Sequence, residues 1–426
     1  MYTTKRILAI IGIFAGAVLA WLALAGVTSE RTSKRGEKLG PEVQELWGHP
    51  QVQGGPTFTF HWFTTRQVEE VVKEGNKERR VSKTEHVPNE REVLASATTL
   101  RADLRLDQRL KGLLWYSLYD VTFDGAWTYV HDKEIPGKIE IGFSFPVPDA
   151  VYDDFRFMVD DRDMARETRP SKGSFTYVRE VQPGQTLTLQ IQYKSRGLDS
   201  WTYRPSGSVA SLQDFTLTTS TNFTDIDFST GSMSPSRRQR SGDGWILTWN
   251  FRQVLTGRDM GVVMPARIQP GELATRLAAA APVSLLFYFL LMFVLSVRHQ
   301  LDIHPLNYLG IAAAFFSFHL LFSYSVDHLS IVPAFVLASA TSIFLVVSYL
   351  RLVVSARFAY RRAAVGQLVY QVGFSVAHFW AGYTGLTISI LSTLTLFLIM
   401  QMTGRIRWSQ TLAPAAPVPP RVPVVT

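Results

Sequence analysis

Apolar residues in the last third of the chain come in long blocks separated by short polar breaks. The blocks run Leu277–Val297, Leu306–Ser325, Ser330–Leu350, Ala363–Ala381 and Leu386–Met402, and a further block, Ile7–Val27, follows Lys5 and Arg6 near the N-terminus. A hydrocarbon layer of ~30 Å takes about 20 helical residues to cross, and each block is about that long. Lipid offers the backbone no hydrogen-bond partner, so such a block must satisfy its own N–H and C=O groups as a helix. The pattern predicts a membrane α-helical protein with six transmembrane helices, one N-terminal plus five C-terminal. Ala23-Leu24-Ala25 fits a small-x-small cleavage site, so a removed leader competes with an anchor at the first block; its spanning length favours the anchor.

Between these blocks the period changes from helical to two. Ile139, Ile141, Phe143 and Phe145 alternate with small or polar residues, as do Leu187, Leu189, Ile191 and Tyr193. Alternation of this kind marks strands with one buried face. Further strands are expected at Thr57–Phe63, Glu92–Leu106, Leu113–Phe123, Phe175–Val181, Phe215–Thr219 and Trp245–Phe251. Asp124-Gly125, Pro183-Gly184 and Gly242-Asp243-Gly244 read as the turns between strands. Val68–Asn76 with Lys77–Arg80 reads as a hairpin tip or a short surface helix, and Glu30–Trp47 as a helix that prolongs the first span. The pattern divides the chain into an anchor (1–27), a large mainly-β extracytoplasmic domain of two packed sheets (28–276), a five-helix bundle (277–403) and a Pro/Val-rich tail (404–426) read as disordered.

Charge sets the orientation. Arg and Lys collect at one set of block ends: Lys5, Arg6, Arg298, Arg351, Arg357, Arg361, Arg362, Arg405 and Arg407. The short loops at the opposite ends, near Asp327-His328 and Gly382–Gly385, carry neither. By the positive-inside rule both termini are cytoplasmic and the β-rich domain lies on the far side, the periplasm if the membrane is bacterial. Trp21, Trp380 and Trp408 fall near block ends, where indole rings favour the interface. The net charge of +8 is concentrated at these ends, which suits an anionic membrane surface rather than nucleic acid. The absence of cysteine from all 426 residues excludes disulfides and thiolate chemistry.

Candidate chemistry is sparse. Within the bundle, His319, Gln367, Gln371 and His378 form a candidate polar seam, because ionisable and amide groups inside a membrane are expensive to keep. Hydrogen bonding between helices is the plain reading of that seam; a proton- or ligand-responsive site is the sharper one. His304-Pro305 opens a helix, with Pro suited to its first turn and His304 placed to meet free carbonyls or headgroup phosphates. Asp327-His328, adjacent on a short loop, could pair or cap the next helix, and the cap is the expectation. Asp160-Asp161-Arg162-Asp163 lacks calcium-loop spacing and reads as a turn. Arg237–Arg240 reads as a basic loop on which an anionic envelope polymer or lipid could dock. There is no HxxxH or HExxH pair, no phosphate loop and no nucleophile elbow. No catalytic residue, metal ligand or cofactor is therefore expected.

Trp47-Gly48-His49-Pro50-Gln51 with Gly55-Pro56, the block His304-Pro305 with Tyr308 and Gly310, Ser325–His328, and Arg405 with Trp408 together resemble the CreD-like inner-membrane proteins. The departures are Asp327 for a usual Glu and Arg407 for a usual Asp. The resemblance implies a non-catalytic multi-pass protein of the bacterial inner membrane that supports cell-envelope integrity under stress. Its partners would be the lipid bilayer and an envelope protein or a wall or lipid component. The competing reading is a small transporter or channel formed by the C-terminal helices. A membrane-bound hydrolase ranks below both.

Overall fold

The computed structural model describes the backbone of residues 4–404 except 75–76, 207–209 and 381, and the side chains of the same range except 70–81, 207–210 and 381. Arg405, Trp408 and the rest of the tail lie outside the described residues. The chain divides into two compact units, Met1–Lys38 with Ile268–Thr426, and Leu39–Arg267.

The helical unit contains most of α1 (Thr4–Trp47), then α2 (Pro270–Arg298), α3 (Pro305–Ser325), α4 (Ile331–Val353), a composite helical segment α5 (356–379) and α6 (Thr384–Thr403). α1, α2, α3, α4 and α6 are unbroken and, among the described residues, are the five helices long and apolar enough to cross a membrane. The helix expected over Ala363–Ala381 differs. It begins at Ala356, ends at Phe379, and changes between α-helix and π-helix, with π turns at Ala359–Ala363 and Leu368–Gly373 and a closing 3-10 turn at Ala377–Phe379. One cause is visible: the Tyr288 hydroxyl donates to the Ala363 carbonyl at 3.1 Å, and a side chain inserted into the backbone ladder disturbs its i→i−4 register. Arg357, Arg361 and Arg362 thus sit on the first turns of this segment.

Three ion pairs, at two places, tie α1 to the rest of the helical unit. Arg6 meets Asp302, in the α2–α3 linker, at 2.6 Å. Arg31 and Arg35 both reach Asp327, in the α3–α4 turn, at 3.1 and 3.4 Å. Between them Trp21, expected at an interface, is instead fully buried, its ring edge-on to Phe316 and His319. Because α1 runs on to Trp47, Trp21 is an interior position of a long helix and not its end.

The β unit holds fifteen strands among the described residues, in three sheets. Eight strands run in the order β13 (Arg237–Ser241), β14 (Gly244–Thr256), β12 (Ala210–Thr221), β4 (Ala97–Lys111), β5 (Leu114–Val130), β10 (Thr186–Leu198), β7 (Asp153–Val159), β8 (Arg162–Asp163). Four run β3 (Lys77–Val93), β2 (Thr57–Glu74), β6 (Gly137–Ser144), β9 (Ser174–Val181). A third sheet, absent from the sequence expectation of two, joins β1 (Gln51–Gly54), β11 (Ser200–Arg204) and β15 (Met260–Val263). Trp201, Tyr203, Met260 and Val262 of this small sheet enter the same core as Leu100, Phe123, Leu189, Phe215 and Trp249 of the large sheet and Phe58, Ile139 and Phe143 of the four-stranded one. Burial of aromatic and branched side chains at ~25 cal/mol per Å² is what holds such layers together.

Three local expectations change. The Val68–Asn76 region is strand, since β2 and β3 pair continuously from Phe58↔Val93 to Glu74↔Lys77. Asp124-Gly125 is not a turn but lies inside β5, where a Cβ on Gly125 would strike the Trp127 ring. Arg237–Arg240 is not a loop but the edge strand β13, and charged edge residues discourage further pairing. The Asp160-Asp161 turn is as expected, with both residues at positive φ between β7 and β8.

Candidate functional site

In the β unit, the family-motif residues sit where the chain enters the large sheet. β10 pairs with β7 only as far as Lys194↔Asp153, which leaves its last residues open on that side. Residues 48–51 cover the gap. Leu198 N–H donates to the His49 carbonyl at 3.1 Å, and the wholly buried Gln51 donates from Nε2 to Arg196 O at 2.9 Å and Ser195 Oγ at 3.2 Å. Gly48 permits this approach: its φ is +116° and an added Cβ would lie 2.7 Å from Arg196 O. Gly55 is as confined, with Tyr203 Oη and Ser206 Oγ at 2.7 and 2.8 Å from such a Cβ, and Ser206 donates to Pro56 O. Gln53, missed in the sequence, is also fully buried and accepts from the Tyr193 hydroxyl at 2.6 Å; its position two residues past Gln51, on the same strand face, was the available signal.

Beside this plug lies an open groove of about 1020 Å³. One wall is the stretch Pro41–His49, the others Asp120–Thr122 of β5, the Val147–Asp153 segment and Lys194–Arg196 of β10. Trp47 packs edge-on against Tyr116, with the Arg109 and Lys111 charges each 5.9 Å from its ring. Leu46 and Val151, 66% and 82% exposed, give the groove apolar ground. Lys194 and Arg196 are engaged by Asp154 at 2.7 Å and Asp120 at 2.9 Å. The Lys194 hydrogen bond, and then its charge, hold the Asp154 carboxyl below its usual range. Asp153 faces the Lys194 charge as well, whereas Glu45 and Asp149 form no ion pair among the described residues, so the groove presents unpaired carboxylates beside apolar surface.

The polar positions of the helical unit separate into two groups. Gln367 donates to Gln371 Oε1 at 2.8 Å and to Ser342 Oγ at 2.9 Å; Gln371 donates to Phe315 O at 3.0 Å, and Ser342 to Ala314 O at 2.6 Å. These amides lace α5 to α3 and α4. His319 and His378 line a different cavity with Ser284, Ser375 and Ile388. The π segment Leu368–Gly373 lies between Gln367 and His378, and its wider turn rotates the residues beyond it away from the α-helical face on which the sequence placed all three.

Three other predicted residues act differently from expectation. His304 accepts, through Nδ1, the Leu306 N–H at 3.2 Å and so caps the start of α3 in place of meeting carbonyls. Asp327 does not cap α4, whose N-cap position is Ser330; it is held by Arg31 and Arg35, which the sequence reading had not singled out. His328 is exposed. Pro305 occupies the first turn as expected, and Tyr308 is buried edge-on to Phe289 at 5.1 Å. Gly310 abuts the Tyr349 ring, 2.8 Å from an added Cβ, at the α3–α4 contact.

Among the described residues no three His, Cys, Asp or Glu side chains are grouped to hold a metal ion. No family model matches the chain, and no curated protein matches it. Among solved structures, a candidate nutrient-binding protein from Legionella pneumophila aligns over 72% of this chain and 96% of its own, at 11% identity and a TM-score of 0.30.

Proposed function

We propose that this chain is a non-catalytic, multi-pass protein of the bacterial inner membrane, similar to the CreD-like proteins, which supports envelope integrity through ligand binding by its β-rich domain. In this reading both termini are cytoplasmic and the β unit is periplasmic. The observation that carries the binding role is the groove of about 1020 Å³ beside the Trp47–Gln51 plug, with Leu46 and Val151 exposed and unpaired carboxylates along it. Such a lining suits an elongated envelope component, protein or glycolipid, that offers both apolar and cationic groups. The helices with apolar, exposed faces support residence in a bilayer; only 11% of the most apolar window of α6 and 17% of that of α1 is buried within the protein.

Two experiments test this. A reporter active only in the cytoplasm, inserted in the β unit, is expected to stay dark; signal there rejects the topology. A photo-crosslinking residue at Val151 is expected to capture an envelope component in cells, whereas one at exposed Val178 on β9, outside the groove, is not. Equal labelling from both rejects the groove as the binding surface.

A further inference from the structure

The two histidines of the helical unit are held in the same manner. His319 Nδ1 lies 3.1 Å from Phe315 O, and His378 Nδ1 lies 3.1 Å from Phe374 O, each the carbonyl four residues earlier. A carbonyl can only accept, so in both rings Nδ1 carries the proton and Nε2 is left with its lone pair. Neither Nε2 has a protein partner among the described residues, and both residues line one cavity of about 30 Å³. That is room for about one water, given that ~10–15 Å³ suffices. Two imidazoles lining so small a space, each with a lone pair on Nε2, suit a species with hydrogens to give to both.

We propose that His319 and His378 hold one proton between them, on one Nε2 and bridged to the other by a cavity water, making the helical unit a proton-binding site. The groups around the pair permit this. α2 contributes Ser284, whose hydroxyl is already given to Ala281 O at 2.8 Å, and α6 contributes the apolar Ile388. α1 contributes Trp21, whose ring stands at 90° to that of His319 with centroids 5.7 Å apart. Arg276, on α2, is the charge that bears on His378. Along α3, Ser323 follows His319 by one turn and Asp327 by two, and Ser323 Oγ and Trp21 Nε1 are both buried without a protein partner. Water at these orphaned groups would connect the pair to the Asp327 end of the helix.

The Trp21–His319 contact supplies the readout, because a protonated imidazole quenches an adjacent indole. The full chain in lipid nanodiscs is titrated from about pH 8 to about pH 4, and the fluorescence of Trp21→Phe is subtracted to isolate Trp21. The expected result is a single Trp21-dependent transition. In His378→Gln, folded by circular dichroism, it moves to lower pH by about one to two units, the strength of a charged hydrogen bond. Ser284→Leu, which fills the cavity without touching either ring's Nδ1 bond, moves it the same way and serves if His378→Gln does not fold. A wild type with no Trp21-dependent transition overturns the proposal. So does a transition in either folded variant that stays in place or moves to higher pH, as two independent histidines repelling one another would give.

Discussion

Gly48→Ala isolates the reason for the Trp47–Gln51 motif. Two costs add at this position. A non-glycine residue at φ +116° occupies a sparsely populated region at about 1–3 kcal/mol. The new Cβ would also lie 2.7 Å from the Arg196 carbonyl oxygen, a backbone atom held in the β5–β10 ladder that yields only by breaking the Gln51 bond to the same oxygen, about 1 kcal/mol more. The sum is about 2–4 kcal/mol, or roughly 4–16 °C in melting temperature for a domain of this size. Gly184→Ala is the control: its φ is +75° and nothing lies within 4 Å of the added Cβ, so it incurs the conformational cost alone. Thermal unfolding of the full chain in detergent, followed by tryptophan emission that comes mostly from the β unit, measures both. If Gly48→Ala costs no more than Gly184→Ala, the motif does not exist to seat residues 48–51 on the edge of β10, and its glycine must serve something bound there.

Other expectations follow from the same contacts. Gln371→Met removes one acceptor and one donor from the Gln367–Ser342 network and is expected to destabilise the helical unit by about 0.6–2 kcal/mol in a denaturing-detergent titration, interhelical bonds being weak in lipid; no loss would mean the network is not formed. Arg31→Gln and Asp327→Asn are expected to show a coupling of about 0.5–1 kcal/mol in a double-mutant cycle, since the pair is partly exposed, and additive effects would deny the contact. The Asp302 carboxyl is held below its usual range by the Arg6 hydrogen bond and then its charge. A depressed carboxylate contributes stability above its ordinary value and loses it as pH falls through the lowered one. Arg6→Gln should therefore move the Asp302 carboxylate resonance to titrate at higher pH, and an unmoved midpoint refutes the pair.

Much of the architecture is a local property and was legible without coordinates. Apolar blocks of spanning length specify helices because an unpaired backbone in lipid is prohibitive, and α2, α3, α4 and α6 fall where those blocks are. Period-two alternation locates β6 to within two residues and the start of β10 to within one, because each strand is buried on one face only, while β10 runs on past Tyr193 to Leu198. Tertiary structure decided what depends on a distant partner. Trp21 is buried because α3 brings Phe316 and His319 to it, not because of anything beside it in sequence. The first π turn of α5 ends where Tyr288 donates to the Ala363 carbonyl from 75 residues away, and the second, at Leu368–Gly373, separates His378 from Gln371, residues that a regular helix would align. Asp327 looked like a cap in isolation and became an ion-pair partner because Arg31 and Arg35 reach it from α1. The groove likewise owes its walls to four separate segments, and such convergence leaves no periodic trace along the chain.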